Sequence, residues 1–349
     1  MQAQLLRHTG PMANAPLQFD EVPDPVPGPG ELLLTLSACG VCRTDLQLCE
    51  GDLAPRVLPV IPGHQSVGRV SGLGSGVEGW SIDDRAGVGW LAGACGTCNL
   101  CRRGLENLCE QARFTGWDRD GGFATKMTVR ADFAFSLPAG AGDLEVAPLL
   151  CGGVIGYRAL KMSGIEPGGS LGLYGFGASA LLAIQVALHW GCEVFVVTRS
   201  TEERARALEM GAAWAGGYDE APPVRLQAAV TFAPVGSVVV AALGALEPGG
   251  VVAVNAIHLD EIPAFPYENL WGERQIRSVA NFTRTDAREF LDLSAQLPIR
   301  TVVDPYALSD ANQALANVKS GVVNGAAVLE MRPGAGRKSP SEAARLIHG

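Results

Sequence analysis

The chain has no apolar run near the ~20 residues needed to cross a bilayer. Its longest runs, such as 181–188 (LLAIQVAL), are far shorter, so no membrane partner is expected. It has no basic stripe. Lys and Arg number 27 against 36 Asp and Glu, a net charge of −9, which argues against a nucleic-acid partner. Residues 1–30 lack the charged-then-apolar pattern of a secretory leader, and a cytoplasmic location is expected. The 44 glycines follow no three-residue period, which excludes a collagen-like rod; they punctuate short apolar runs instead. No internal repeat is visible.

What is present points to a large folded chain. Its 349 residues fit two domains of ordinary size. Hydrophobic residues make up 47% and charged residues 18%, enough for a sizeable core and against wholesale disorder. The first 150 residues read as short strands and turns, with strands at 31–37, 66–71 and 123–129. After Cys151 the pattern alternates. A strand at 170–175 precedes a helix at 178–190, a strand at 193–198 and a helix at 201–210; segments 228–232, 237–246, 251–255 and 276–281 continue it. That order implies a parallel sheet with helices on both faces. A helix (287–297), a strand (301–306), a helix (310–318) and a strand (326–331) follow, and the residues after 333 read as a frayed tail.

Nine cysteines in a chain of this size without a leader suggest metal binding or burial rather than disulfides. Cys95, Cys98, Cys101 and Cys109 crowd into CGTCNLCRRGLENLC, with two, two and seven residues between them. Donors recurring at that spacing let one loop wrap a tetrahedral zinc. An iron–sulfur cluster is the rival occupant. A closed four-thiolate site has no open position, so its role is structural.

Three more segments could converge: 39–45 (CGVCRTD), 62–65 (PGHQ) and 149–153 (LLCGG). A reactive zinc needs three protein ligands and one open position, and two thiolates with an imidazole supply them. With GVCRTDL, LPVIPGHQSVGRV, the four-cysteine lobe, APLLCGGVIGYRAL and a Gly-rich turn after a strand, all in one order, the sequence resembles the zinc-dependent alcohol dehydrogenases of the medium-chain dehydrogenase/reductase superfamily. The resemblance covers residues 1 to about 331.

It implies an α/β chain: a β-rich GroES-like catalytic domain at 1–150 and 286–333, a Rossmann doubly wound parallel-sheet domain at 151–285, and a flexible tail at 334–349. It implies Cys42, His64 and Cys151 as catalytic zinc ligands, hence two zinc ions per chain. Thr44 falls where a hydroxyl takes the alcohol proton, Asp45 where a carboxylate holds the ligand imidazole, and Arg43 where a cation meets the cofactor pyrophosphate. Cys39, Cys49 and Cys192 read as small buried hydrophobes. Three positions depart from the family pattern. Gln65 replaces the usual Glu after the ligand His and is a poorer ligand. Gln47 and Leu48 stand where a relay His often lies. Ile155 replaces a Thr that touches the nicotinamide.

Gly175-Phe176-Gly177-Ala178-Ser179-Ala180 reads as G-x-G-x-x-A between a strand and a helix, the dinucleotide fingerprint. The next strand ends in Thr198-Arg199-Ser200, with no acid for a ribose hydroxyl. One guanidinium, two hydroxyls and Arg204 a turn later favour NADP over NAD. Trp90, Phe114 and Trp117, with Leu270 and Trp271, suggest an apolar pocket for a small alcohol or aldehyde. The resemblance further implies a homodimer or homotetramer. Two other readings remain: a zinc-free reductase of C=C bonds or quinones, and a non-catalytic zinc and dinucleotide binder.

Overall fold

The computed structural model describes residues 1–256, 259–297 and 299–331. The tail at 334–349 lies outside them, as do the last two residues of the 286–333 segment.

Two sheets organise these residues. The first has seven strands. At its centre runs Glu31–Val41, whose Leu32, Leu34 and Leu36 alternate with less buried neighbours, the period-two pattern of a half-buried strand. One edge pairs with Ser66–Leu73. The other edge is divided: Glu31 to Thr35 pair with Lys126–Arg130, and Ala38 to Val41 pair with Ala326–Glu330. The last strands of the described chain therefore complete a sheet begun near residue 31. The strand expected from 123 begins only at Lys126. Residues 121–123 instead donate backbone hydrogen bonds to Ile61, Gly63 and Pro62 at 2.7–2.9 Å, bracing the loop that carries His64.

The second sheet has six strands, all parallel. In spatial order they are Trp214–Gly216, Glu193–Val197, Ser170–Tyr174, Leu226–Thr231, Leu246–Val254 and Gln275–Ser278. The side chains of the four inner strands are largely buried on both faces, while the edge strand Gln275–Ser278 is mostly exposed. Leu171, Leu173, Val194, Val196 and Val230 meet the helices Gly152–Ser163 and Ala178–His189, while Phe195, Val197, Ala229 and Val252 meet Gly236–Ala245. This is why these strands read as continuous apolar runs. Strand order reverses around Ser170–Tyr174, and ligands of such sheets bind at that switch point, beyond the carboxyl ends of the strands. Gly175 follows immediately.

The Gly152–Ser163 helix was not evident from residue order. It opens on two glycines, which read as a turn. The reason for them is packing: a side chain at Gly153 would strike Phe290, and one at Gly152 would press on Ser179 of the next helix, as would one at Gly156 a turn later. No helix among the described residues is long and apolar enough to cross a membrane.

Candidate active site

Cys42 and Cys151 each stand at the N-cap of a helix, Arg43–Glu50 and Gly152–Ser163. The positive end of a helix favours a thiolate there. His64 follows the turn braced by residues 121–123. The three donor atoms lie within 4.8 Å of one another, with His64 Nε2 at 3.3 Å from Cys42 Sγ. Asp45 ties the set together. Its Oδ1 is 3.1 Å from His64 Nδ1 and accepts the Gly63 N–H at 3.2 Å, while Oδ2 accepts the Cys42 N–H at 2.9 Å. One carboxylate thus closes the helix cap and orients the imidazole, whose Nε2 faces the thiols.

The charges of these groups act strongly on one another. The Cys151 thiol beside it, then the His64 ring and the Thr44 N–H, hold the Cys42 thiol well below its ordinary value, against the effect of burial. Burial alone would lower His64; the Asp45 and Cys42 charges reverse this and hold it well above the usual imidazole value. Two half-buried thiols and a buried imidazole brought to one point make a donor set of the kind that holds zinc.

The four-cysteine lobe is a second such set. Its sulfur atoms all lie within 4.8 Å, with Cys95–Cys109 at 3.6 Å and Cys95–Cys101 and Cys98–Cys109 at 3.9 Å. A tetrahedron with ~2.3 Å arms has edges of about 3.8 Å. An iron–sulfur cluster interposes several iron and sulfide atoms and would hold its thiols farther apart. Backbone N–H groups of Cys98 and Cys101 point at Cys95 and Cys98 sulfur at 3.3 and 3.4 Å. The Thr97 and Cys98 N–H groups bring the Cys95 thiol down to about 6. The lobe's own core is small, four buried residues that include Leu91 and Phe133. Arg284 anchors it by gripping Glu106 at 2.6–3.0 Å.

Trp90, Phe114 and Trp117 form one aromatic wall against His64. Ring centroids are 5.8 Å from His64 to Trp90, 4.9 Å from Trp90 to Phe114 and 5.7 Å from Phe114 to Trp117. Thr115 sets its spacing, donating its N–H to the Trp90 carbonyl at 2.8 Å and its hydroxyl to the Gly89 carbonyl at 2.9 Å. Arg56 lies 3.8 Å over the Trp117 ring and pairs with the buried Asp118 at 3.1 Å. Sequence reasoning missed Arg56 and Asp118, which carry no motif.

The Gly-rich turn fits a dinucleotide. Gly175 has φ +89°, and a Cβ there would lie 2.9 Å from the Ala233 nitrogen, so the fold itself requires glycine. Gly177 is different. Its backbone is extended, and a Cβ would meet nothing within 4 Å. What needs that space is something outside the chain, and close approach of a pyrophosphate is the known use of the second glycine. Beside the strand ends, Tyr174, Val197 and Tyr218 line a groove of about 520 Å³. The Tyr174 hydroxyl is buried there without a hydrogen-bond partner among the described residues.

Residues 28–139 match the family described as "Alcohol dehydrogenase GroES-like domain", and 180–296 that described as "Zinc-binding dehydrogenase". Over 335 residues the chain is 50% identical to "Probable alcohol dehydrogenase AdhA" of Mycobacterium tuberculosis, covering 94% of this chain and 97% of that one. The chain belongs to the zinc-dependent alcohol dehydrogenase family. A Geobacillus stearothermophilus alcohol dehydrogenase is 34% identical over 90% of this dehydrogenase and 96% of its own length. A cinnamyl alcohol dehydrogenase from Sorghum bicolor superposes with a TM-score of 0.86 at 24% identity, covering 97% and 99% of the two chains; at that identity the likeness concerns the fold.

The remaining expected residues of this oxidoreductase fall as follows. Thr44 is buried beside Cys42, in the first turn of its helix. Arg43 opens that helix. Gln65 is buried with its amide packed against Gly40. Cys39, Cys49 and Cys192 are buried, and burial pushes the Cys39 thiol up to about 12. Leu270 packs on the core beside the Gly236–Ala245 helix, and Trp271 is 67% exposed, meeting Tyr267 edge to face. Neither reaches the aromatic wall, because both follow a short 3₁₀ turn on the far side of the parallel sheet. At the second strand end, Thr198 and Ser200 are not free hydroxyls: Thr198 donates to Glu203 and Ser200 to Glu202. The expectation of an acid-free strand end counted only residues 198–200, whereas the next helix folds two carboxylates onto them.

Proposed function

We propose that the enzyme interconverts a primary or secondary alcohol with its aldehyde or ketone. The observation that carries this is the convergence of Cys42, His64 and Cys151 at the foot of the Trp90–Phe114–Trp117 wall. In this reading those three residues hold a catalytic zinc, and Cys95, Cys98, Cys101 and Cys109 hold a structural one. Gly175, Gly177, Ala178, Ser179 and Ala180 seat the pyrophosphate of NAD(P), with Arg43 opposite. When bound, zinc supplies Lewis acidity toward the substrate oxygen and the dinucleotide carries the hydride.

The chain's residues do the rest. Asp45 fixes the His64 tautomer by accepting from Nδ1–H. Thr44 Oγ1 accepts the substrate hydroxyl proton and hands it outward to water, since neither Gln47 nor Leu48 can extend the relay. Gln65, buried against Gly40, offers no charge to the site. The aromatic wall excludes water and favours an aliphatic or aromatic substrate over a polyol or sugar acid. A cytoplasmic homodimer or homotetramer belongs to the same reading. The deciding experiment is an initial-rate panel of short, long and benzylic aldehydes. Turnover of the aldehydes supports the assignment; with an enone and a quinone assayed beside them, turnover of those two alone replaces it with a zinc-free reductase, and no turnover at all with a binding protein.

A further inference from the structure

Dinucleotide enzymes that use NAD place a carboxylate at the end of the second strand, where it accepts from the adenosine ribose; an Arg there accommodates a 2′-phosphate instead. Here that strand, Glu193–Val197, runs into Thr198-Arg199-Ser200. We propose that Glu203, on the following helix, takes the place of the missing strand-end acid, reads the ribose diol and makes this enzyme prefer NADH to NADPH. This rests on the dinucleotide reading of the Gly175–Gly177 turn.

Ser200-Thr201-Glu202-Glu203 has the spacing of a capping box, in which the fourth residue's carboxylate returns to the N-cap N–H. Elsewhere the protein makes such boxes in full: Asp45 accepts from the Cys42 N–H and Asp286 from the Thr283 N–H, both at 2.9 Å. At Ser200 only half the box forms. The Ser200 hydroxyl accepts the Glu203 N–H at 3.2 Å, but the Glu203 carboxylate reaches past it to the Thr198 hydroxyl. Thr198 is buried and its N–H is fixed on the Gly216 carbonyl at 2.9 Å. The carboxylate is therefore tied to the strand end through the Thr198 hydroxyl. Its second oxygen, Oε1, has no hydrogen-bond partner among the described residues, and a ribose hydroxyl is the donor that would use it.

The cations are placed less well for a phosphate. Arg204 lies 3.7 Å from Glu220 and 3.3 Å from the Thr201 hydroxyl. Arg199 is exposed, so solvent and salt screen it. The Ser200 hydroxyl proton is given to Glu202 at 2.7 Å. A 2′-phosphate would bring about two negative charges against Glu203, with the nearest hydroxyl already donating to that carboxylate. Arg199 and Glu203 act in opposite directions on the Tyr218 phenol, which burial raises; Tyr218 lines the groove beside Tyr174 and Val197 at the strand ends.

The test is fluorescence titration of the zinc-loaded wild type, Glu203→Gln and Arg199→Ala with NADH and NADPH, repeated with 5′-AMP and adenosine 2′,5′-bisphosphate as competitors. The wild type should bind NADH at least about tenfold tighter than NADPH, as expected where a charge-assisted hydrogen bond to the ribose forms and a repulsion is avoided. Glu203→Gln should tighten NADPH and shift the ratio toward it, whereas loss of a helix cap alone would lower Tm and weaken both cofactors equally. Arg199→Ala should leave NADH binding unchanged. A wild type that prefers NADPH, or a ratio unmoved in Glu203→Gln, overturns the proposal and leaves the dinucleotide reading standing. Failure of both dinucleotides to bind the folded protein overturns both.

Discussion

Asp45 and His64 are joined by a 3.1 Å hydrogen bond between Oδ1 and Nδ1, while the same carboxylate accepts the backbone N–H of Cys42 on its other oxygen. One side chain thus sets the position of two of the three residues proposed to hold the catalytic zinc. Asp45→Asn keeps the shape and loses the charge. It should lower zinc affinity at this site by roughly 10–100-fold with little change in Tm, read by chelator competition. Unchanged affinity would mean that the loop alone orients the imidazole.

Metal analysis should give two zinc ions per chain. Cys42→Ala should retain one zinc and the fold but lose turnover. Cys109→Ser should also lose one zinc, but with a clear fall in Tm, because the lobe has only three other buried core residues, Leu91, Ala112 and Phe133, to fall back on. Equal loss of Tm in both variants would contradict the division into a catalytic and a structural site.

Thr44→Val preserves shape and removes the transferable proton. Its kcat should fall by roughly a hundredfold or more, with zinc content and cofactor binding intact. An unchanged kcat would assign the first proton step to water.

Trp90 lies between the His64 ring and Phe114. Trp90→Ala should lower kcat/KM for a benzylic aldehyde about tenfold more than for a two-carbon aldehyde, in line with ~0.5–1.5 kcal/mol for an aromatic pair beyond its area term. Equal losses on both substrates would place the wall outside the pocket.

Asp286 is buried, caps the Arg284–Gln296 helix through Thr283, and pairs with Arg158 and Lys161. Burial raises its carboxyl, but the Thr283 N–H and hydroxyl and then Arg158 outweigh this and hold it below the usual 3.8. A depressed folded value means that the contribution is present above about pH 4 and fades as pH falls through that lower value. Asp286→Ala should cost about 3 kcal/mol at neutral pH, since it strands the buried Arg158. The Tm gap from wild type should narrow below about pH 4; a gap constant with pH would point to packing instead of charge.

Some of this was legible in residue order alone. Cysteine spacing, the P-G-H and C-R-T-D segments, and a Gly-rich turn between strand and helix are local patterns, because metal wrapping and pyrophosphate approach need short, fixed chain geometry. The strand–helix alternation after Cys151 is local for the same reason: parallel strands buried on both faces must be apolar throughout. Other features depend on residues far apart in the chain. Residues 123–125 fell outside their expected strand, with Phe123 joining Gly121 and Gly122 in bracing the His64 loop, the two glycines opening the Gly152–Ser163 helix exist for Phe290 and the neighbouring helix, and Trp271 fell on a surface away from the wall. At the cofactor end, reading Thr198-Arg199-Ser200 in order found no acid. Only the turn of the next helix showed that Glu203 bonds to Thr198, because a side chain five residues on reaches back once the backbone has coiled through its first turn.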